Sequence, residues 1–161
     1  LIKEKIDYVG FIFIGLINVD GFPKVIEYNV RMGDPETQVV LPRINSDFLE
    51  LLNSVHTGAL NDYDLKINDN SAATVVMVSG GYPETYKKNM LITGLDSVKK
   101  SKVYHAGAIE EKGLFKTNGG RVLAVTSLGE NVNRALKTSY SSIRKIGFKN
   151  QYYRKDIGFD L

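Results

Sequence analysis

The sequence predicts an α+β fold that combines antiparallel strands with a few helices. Two apolar, strand-like runs near the start are separated by only four residues, a connection that joins antiparallel neighbours. Several short strand candidates follow in the second half, separated by glycine-rich turns. Apolar residues at helical spacing occur in only a few segments. With 161 residues, 43% of them apolar, the chain can bury one good core, or one small domain and part of another.

Charge and amino-acid usage exclude several classes of protein. The 21 basic and 18 acidic side chains give a formal net charge of only +3. The lysine pairs lie in turn-like sequence, where charge is usually solvated, so we expect no nucleic-acid partner. The absence of cysteine excludes disulfides and thiolate metal sites and is typical of a reducing compartment, which favours a cytoplasmic location.

The first elements form a predicted β-hairpin. Its strands cover residues 8–19 and 24–30, and residues 20–23 (Asp-Gly-Phe-Pro) favour a turn between antiparallel strands. The apolar run 9–19 is too short to cross a bilayer, so it predicts a buried strand and no membrane partner.

Two helices are predicted next. Asp34 is the expected N-cap of the first, Pro35 its first residue, and Pro42 its end or bend. The second begins after Asn45 or Ser46 and stops at a left-handed Gly58. Its apolar face is expected to contain Phe48, Leu49, Leu51, Leu52 and Val55. Residues 61–70 are polar and turn-rich, which is typical of a linker.

The remainder is predicted as a small β-rich unit that ends in one long helix. Strand candidates cover residues 74–78, 103–108, 114–117 and 121–126. The helix spans about 131–146, with Gly147 as its stop and an apolar stripe of Val132, Leu136, Tyr140, Ile143 and Ile146. We therefore expect two domains, residues 1–66 and 67–161.

The strongest candidate for chemistry lies at the end of the hairpin. Side chains at alternate strand positions share a face, so Glu27, Asn29 and, if the strand continues, Arg31 would point the same way. A carboxylate and an amide carbonyl are hard oxygen donors that suit Mg²⁺, which keeps several waters and shares its shell with phosphates. The arginine would bind a carboxylate or phosphate. The strand end therefore predicts a cation site beside an anion site.

Structural explanations compete with this hypothesis. Glu-x-Asn is common on solvated sheet faces, and Gly-Asp-Pro-Glu is a good helix start for local reasons alone. The Gly80–Gly81 and Gly119–Gly120 pairs are predicted hairpin turns, although the second could instead approach a ligand. Arg154 and Asp156 are expected to form an ion pair that holds the C-terminal tail.

Longer stretches resemble one enzyme family. These are GFIFIGLINVDGFPKVIEYNVRMGDPETQVVLPRINSDFLEL, VVMVSGGYPETY, HAGA, TNGGRVLAVTSLG and YRKDIG, in this order along the chain. They are similar to the C-terminal part of the phosphoribosylamine–glycine ligases, the glycinamide ribonucleotide synthetases. The Gly-Asp-Pro-Glu turn after Glu-x-Asn-x-Arg is characteristic of that family, whereas Glu-x-Asn alone is shared across the ATP-grasp superfamily.

The resemblance implies an ATP-dependent ligase of purine synthesis that joins glycine to 5-phosphoribosylamine through a glycyl phosphate. It implies that Glu27 and Asn29 bind Mg²⁺ or Mn²⁺. Arg31 is the implied catalytic residue and, with Gly33, Asp34 and Glu36, lies against the substrates. A further set could border the substrate cleft: Asn118, Gly119, Gly120 and Arg121.

The resemblance also implies an architecture and a limit. Residues 1–66 would complete an ATP-grasp domain, and the rest would be a small β-barrel-like domain with a helix. No acidic residue stands at Phe13–Leu16, where many ATP-grasp enzymes place another metal ligand. The N-terminal part of the enzyme is expected to be missing, so the chain alone is predicted to be inactive. The alternatives are another ATP-grasp ligase or carboxylase, or a binding module without catalysis.

Overall fold

The computed structural model describes residues 1–159 and divides them into two compact units. The first unit comprises residues 1–37 and 44–68, and the described part of the second comprises residues 38–43 and 69–159. Each unit has its own antiparallel sheet, so the predicted mixture of antiparallel strands and a few helices is confirmed.

The first unit contains the predicted hairpin. Strand β1 (Phe13–Val19) pairs with β2 (Phe22–Asn29) through a turn of only two residues, Asp20 and Gly21. Both turn residues have positive φ, 52° and 84°, as a tight hairpin turn of matching twist requires. The prediction of a four-residue turn was therefore wrong, because Phe22 and Pro23 already pair with β1.

The hairpin contains an irregularity just before the candidate site. Gly15 lies opposite Glu27, but Leu16 lies opposite Val25, so Ile26 has no partner of its own. This is a β-bulge, which bends a strand and increases its local twist. The regular alternation of β2 therefore starts again at Glu27.

The apolar run 9–19 is not buried as predicted. Leu16 is 56% exposed, and on β2 Ile26 and Tyr28 are 65% and 69% exposed. A two-stranded sheet has two faces, and consecutive apolar residues point to both of them. The sequence pattern indicated a strand that needs cover on each face, and in the described structure neither face is covered well.

Helix α1 (Thr37–Val40) starts later than predicted. The backbone N–H of Thr37 donates to the carbonyl of Gly33 at 2.9 Å, and the Thr37 hydroxyl donates to the same oxygen at 2.6 Å. Residues 34–36 therefore form a turn before the helix, and Pro35 is not its first residue. Pro42 lies in the 3₁₀ turn Leu41–Arg43 directly after α1, so the predicted end at this proline is confirmed.

Helix α2 (Phe48–Thr57) is capped by Asp47 rather than by Asn45 or Ser46. The Asp47 carboxylate accepts from the N–H of Leu49 at 2.8 Å and of Glu50 at 3.0 Å. At the other end Gly58 adopts the predicted left-handed conformation, φ 75°. The apolar face is narrower than predicted. Leu51 is buried and Phe48 and Val55 are half-buried, while Leu49 and Leu52 are exposed.

The second unit is built on a three-stranded antiparallel sheet. Its strands are β3 (Ser71–Val78), β4 (Lys102–His105) and β7 (Arg121–Gly129), in the order β3-β7-β4. A separate hairpin pairs β5 (Ala108–Glu111) with β6 (Leu114–Thr117). The strand predicted over residues 103–108 is therefore two short strands. No sheet closes on itself in residues 1–159, so the barrel-like arrangement is not confirmed.

The core of the second unit lies between the sheet and helix α3 (Val132–Ile143). The centre of β7 is buried from Val122 to Ser127, because β7 pairs on both edges and packs against α3. Asn131 caps α3 by accepting from the N–H of Arg134 at 3.0 Å. The helix ends at Ile143 rather than at Gly147, which bridges to Thr93 instead.

The predicted apolar stripe is confirmed on α3 for four of its five residues, and the fifth, Ile146, lies just after the helix. Three of its residues are buried in the core and two are partly buried against it. The buried ones are Leu136, Ile143 and Ile146, and the partly buried ones are Val132 and Tyr140.

Candidate functional site

The two candidate metal ligands share one face of β2. Glu27 lies opposite Gly15 and Asn29 lies opposite Phe13, with no irregularity between them. Side chains two apart on a regular strand point the same way, so the carboxylate and the amide lie on one side of the hairpin. Glu27 is exposed and Asn29 is half-buried.

Gly15 makes room for the glutamate. A Cβ atom added to Gly15 would lie 2.9 Å from the Cγ atom of Glu27, closer than real Cβ contacts come. The Glu27 side chain therefore occupies the space that the side chain of any residue other than glycine would need at position 15. No acidic residue of β1 stands opposite either ligand, so the strand partner supplies no second carboxylate.

Within residues 1–159 neither Glu27 nor Asn29 has a side-chain hydrogen bond or ion pair. The same residues contain no group of three His, Cys, Asp or Glu side chains that could enclose a metal ion. The oxygen pair is therefore a sparse donor set, of the kind that Mg²⁺ completes with waters and phosphate oxygens. The residues present fit such an ion.

Arg31 does not continue the strand, because β2 ends at Asn29. Its Nη1 atom donates to the carbonyl of Met32 at 3.1 Å, and the side chain is exposed. The remaining guanidinium N–H groups are the donors available for an anion.

The turn after Arg31 is close-packed around Gly33. Gly33 is buried, and a Cβ atom there would lie 2.8 Å from the Cδ atom of Glu36. The carboxylate of Glu36 thus folds back over the glycine backbone. Asp34 is exposed beside it and has an interaction partner. Arg31, Gly33, Asp34 and Glu36 therefore lie within one short segment of the first unit.

Tyr8 supports this segment in a way that sequence reasoning missed. Its hydroxyl contacts two carbonyls, of Phe11 at 2.7 Å and of Val30 at 3.0 Å. Its single proton serves one bond at a time. The contact with Val30 ties the chain before β1 to the residue just before Arg31. No local pattern could have revealed it, because 22 positions separate the partners.

Residues 118–121 belong to the second unit. The glycine pair there is not a hairpin turn, because β6 pairs with β5 whereas β7 pairs with β3 and β4. The Ser79 hydroxyl donates to the Gly119 carbonyl at 2.8 Å, and the Ser79 N–H donates to that of Gly120 at 2.8 Å. A Cβ at Gly120 would strike the ring of Tyr82. The glycines are thus needed for close packing.

The Gly80–Gly81 pair is likewise not a hairpin turn, because β3 pairs with β7 and not with the strand that follows it.

The predicted ion pair of the tail is confirmed. Arg154 Nε and Nη2 each lie 3.0 Å from an oxygen of Asp156. The hydrogen bond from Arg154 lowers the pKa of Asp156, and the same bond raises the pKa of the arginine.

No helix in residues 1–159 is long and apolar enough to cross a membrane.

Comparison with known proteins identifies the family. The profile described as "Phosphoribosylglycinamide synthetase, C domain" matches residues 72–160. A second profile, "Phosphoribosylglycinamide synthetase, ATP-grasp (A) domain", matches residues 1–37. The first match alone covers more than half of the chain.

Individual relatives agree with the profiles. The phosphoribosylamine–glycine ligase of Fusobacterium nucleatum is 47% identical over 159 residues, which cover 96% of this chain and 37% of that protein. The trifunctional purine biosynthetic protein adenosine-3 of Gallus gallus is 44% identical, over 98% of this chain and 16% of that protein. The crystal structure of a phosphoribosylamine–glycine ligase from Thermotoga maritima has a TM-score of 0.83 and 34% identity, over 96% of this chain and 38% of that one.

The chain thus spans less than two-fifths of the length of these relatives. Both profiles carry the same family description, and the ATP-grasp match precedes the C-domain match along the chain. The chain therefore belongs to the phosphoribosylglycinamide synthetase family.

Proposed function

We propose that this chain forms part of an ATP-dependent ligase that joins glycine to 5-phosphoribosylamine and releases glycinamide ribonucleotide, ADP and phosphate. The main support is the oxygen pair of Glu27 and Asn29, which share a face of β2 and have no partner in the described structure. Arg31 and the Gly33–Glu36 turn follow them directly along the chain. In this family such a pair, beside an arginine, suits phosphoryl transfer to a carboxylate. The ligase is proposed to act in the cytoplasm.

The chemistry requires positioning and charge neutralisation rather than a protein nucleophile. Glu27 and Asn29 would hold a Mg²⁺ or Mn²⁺ ion, which supplies positive charge among crowded phosphate oxygens. Arg31 would bind an anionic group, the glycine carboxylate or a phosphate, through its free N–H groups. A fixed guanidinium stabilises negative charge as it develops without having to reorganise during the reaction.

The other site residues shape this segment. Because Gly33 has no side chain, the Glu36 carboxylate can lie against its backbone. Glu36 and Asp34 would orient the turn and contact the substrates. We further propose that Asn118, Gly119, Gly120 and Arg121 border the substrate cleft of the complete enzyme, and that the second unit forms a small barrel-like domain there.

The exposed apolar faces of the hairpin support a larger assembly. Apolar surface of this extent is normally covered by protein. We infer that the remaining part of the enzyme covers it and supplies the binding groups for ATP and phosphoribosylamine that this chain lacks.

A chimaera tests the proposal. The chain replaces the matching segment of the Fusobacterium nucleatum relative, and ADP release is measured with ATP, glycine and phosphoribosylamine. We expect release that depends on both acceptor substrates. Glu27→Gln should lower kcat by a factor of about 10² or more, the usual scale for loss of a charge-stabilising group at a reacting centre. Lys24→Gln, an exposed position on the same strand, should change kcat less than twofold.

Two results would contradict the proposal. ADP release that does not depend on glycine would favour another ATP-grasp ligase or a carboxylase. A folded but inactive chimaera, beside an active parent enzyme, would favour a binding module without catalysis.

A further inference from the structure

A basic cavity lies in the second unit, against helix α3. It has a volume of about 330 Å³, within the range of small-ligand sites. Five cationic side chains and three hydroxyl-bearing residues line it, and none of the lining residues is acidic: Lys99, Lys100, Arg134, Lys137, Lys145, Thr138, Ser141 and Ser142. The cavity therefore concentrates positive charge in a concave surface.

The helix contributes one continuous basic stripe. Arg134, Lys137, Ser141 and Lys145 follow each other at spacings of three or four residues, which places them on one side of α3 and of the turn after it. Helix α3 contains no acidic residue that could pair with these cations. Like charges at this spacing repel each other, so the stripe does not stabilise the helix.

The cations are available for a ligand. Lys99, Lys100, Arg134 and Lys137 form no ion pair with any carboxylate in residues 1–159. Lys145 does have a hydrogen-bond partner, because its Nζ donates to the carbonyl of Ser97 at 3.1 Å. Four positive charges thus face the cavity without a partner, and an anion would relieve their repulsion.

The loop that carries Lys99 and Lys100 is fixed rather than loose. The next residue, Ser101, shares hydrogen bonds with the hydroxyls of Ser127 at 2.7 Å and Ser142 at 2.6 Å. Ser127 and Ser142 are both buried, 3% and 4% exposed, on β7 and α3. The two lysines are therefore held beside the helix by bonds inside the protein, so little ordering is needed when a ligand binds.

A second cavity of about 290 Å³ shares Lys99 and Lys100 and adds Ser101 and Lys102. No aromatic side chain lines either cavity, so neither offers a stacking platform for nucleic-acid bases. Compact volume, several cations and hydroxyl donors together favour a small ligand with adjacent phosphate groups over an extended strand.

We propose that this cavity binds a compact polyanion that carries at least two adjacent phosphate groups. The proposal concerns residues of the second unit only and does not depend on the ligase activity or on Glu27 and Asn29. Arg134 and the lysines supply charge, and the Ser141 hydroxyl supplies a further donor.

Inorganic tripolyphosphate is the probe, added to the ¹⁵N-labelled 161-residue chain at 150 mM salt and followed by amide chemical shifts. We expect saturable shifts at residues 99–101 and 134–145, with at least tenfold tighter binding than inorganic orthophosphate. The double variant K100Q/K137Q should weaken binding at least tenfold. The matched control K88Q/K112Q removes the same charge at exposed lysines that line neither cavity and should stay within twofold.

Several outcomes would overturn the proposal. Equal weakening in both double variants would show a response to net charge only. Shifts that do not saturate, or that map elsewhere, would show that the cavity is not a site. Tighter binding of a 20-nucleotide single strand than of tripolyphosphate would assign the surface to nucleic acid instead. Circular dichroism of each variant checks that the fold is intact.

Discussion

The Glu27 side chain lies directly across its cross-strand partner Gly15, so close that a Cβ atom on the glycine would come within 2.9 Å of the Glu27 Cγ atom. The absence of a side chain on β1 thus decides where the carboxylate can lie. Since Asn29 shares that face, the glycine indirectly sets the separation of the two proposed metal ligands. Gly15 has no positive φ, so its role is space and not backbone freedom.

Gly15→Val should displace Glu27 without removing it. In the chimaera described above, we expect the Mg²⁺ concentration for half-maximal activity to rise about tenfold, which corresponds to roughly 1.4 kcal/mol. The control is Ile17→Val, an exposed position on the same strand, which should leave the Mg²⁺ requirement unchanged. If the Mg²⁺ requirement is unchanged in both variants, Gly15 does not position the proposed metal site.

Removing the cap of α2 should destabilise the first unit. Asp47→Ala eliminates the carboxylate that accepts from the N–H groups of Leu49 and Glu50, and loss of such a cap costs about 1 kcal/mol. Urea denaturation monitored by circular dichroism measures the change. Asp47→Asn keeps an accepting oxygen and should recover most of the stability. If the alanine and asparagine variants are equally stable, loss of the cap does not explain the change in stability.

Two serines on α3 provide a matched pair. The Ser139 hydroxyl is fully buried and contacts the Ala73 carbonyl at 3.1 Å and the Ser127 hydroxyl at 2.9 Å. Ser139→Ala leaves these groups with one partner fewer and should lower the free energy of unfolding by about 1–3 kcal/mol. Ser141→Ala on the exposed side should change it by less than about 0.5 kcal/mol. Thermal denaturation that ranks the two variants in the opposite order would contradict this.

The tail ion pair gives a pH dependence of known sign. The hydrogen bond from Arg154 lowers the pKa of Asp156 in the folded chain. A lowered folded pKa means that the pair stabilises the tail above the ordinary carboxyl pKa, and that this stabilisation is lost as the pH falls through the folded value. Carbon-13 NMR titration of the Asp156 carboxyl group should show the low pKa. Arg154→Gln should raise that pKa, whereas Lys155→Gln should shift it less.

Local turn chemistry explains which parts of the fold were predictable. Asp20–Gly21 and Gly58 require positive φ, and few residue types tolerate it, so the place of the hairpin turn, though not its length, and the end of α2 could be found from sequence. The cap of α2 was harder to predict because Asn45, Ser46 and Asp47 are all good capping residues. Only the geometry of the first turn distinguishes Asp47 from the other two.

Long-range contacts explain what the sequence could not reveal. The contact between the Tyr8 hydroxyl and the Val30 carbonyl joins residues 22 positions apart, and no local pattern predicts it. The alternation of Glu27 and Asn29 was predictable because it is local to one strand. The basic cavity was not, since Lys99 and Arg134 are brought together by the packing of a loop on α3, and the sequence indicated only solvated lysines.

The position of β7 also determines where the second unit can change its length during evolution. Between Leu123 and Thr126, β7 pairs on both edges in regular register and lies against α3. Gain or loss of one residue there would turn every later side chain to the opposite face and would shift both registers together. The Lys112–Gly113 connection between β5 and β6 has no such restriction. Insertions and deletions among homologues should therefore collect at that connection and be absent from residues 123–126.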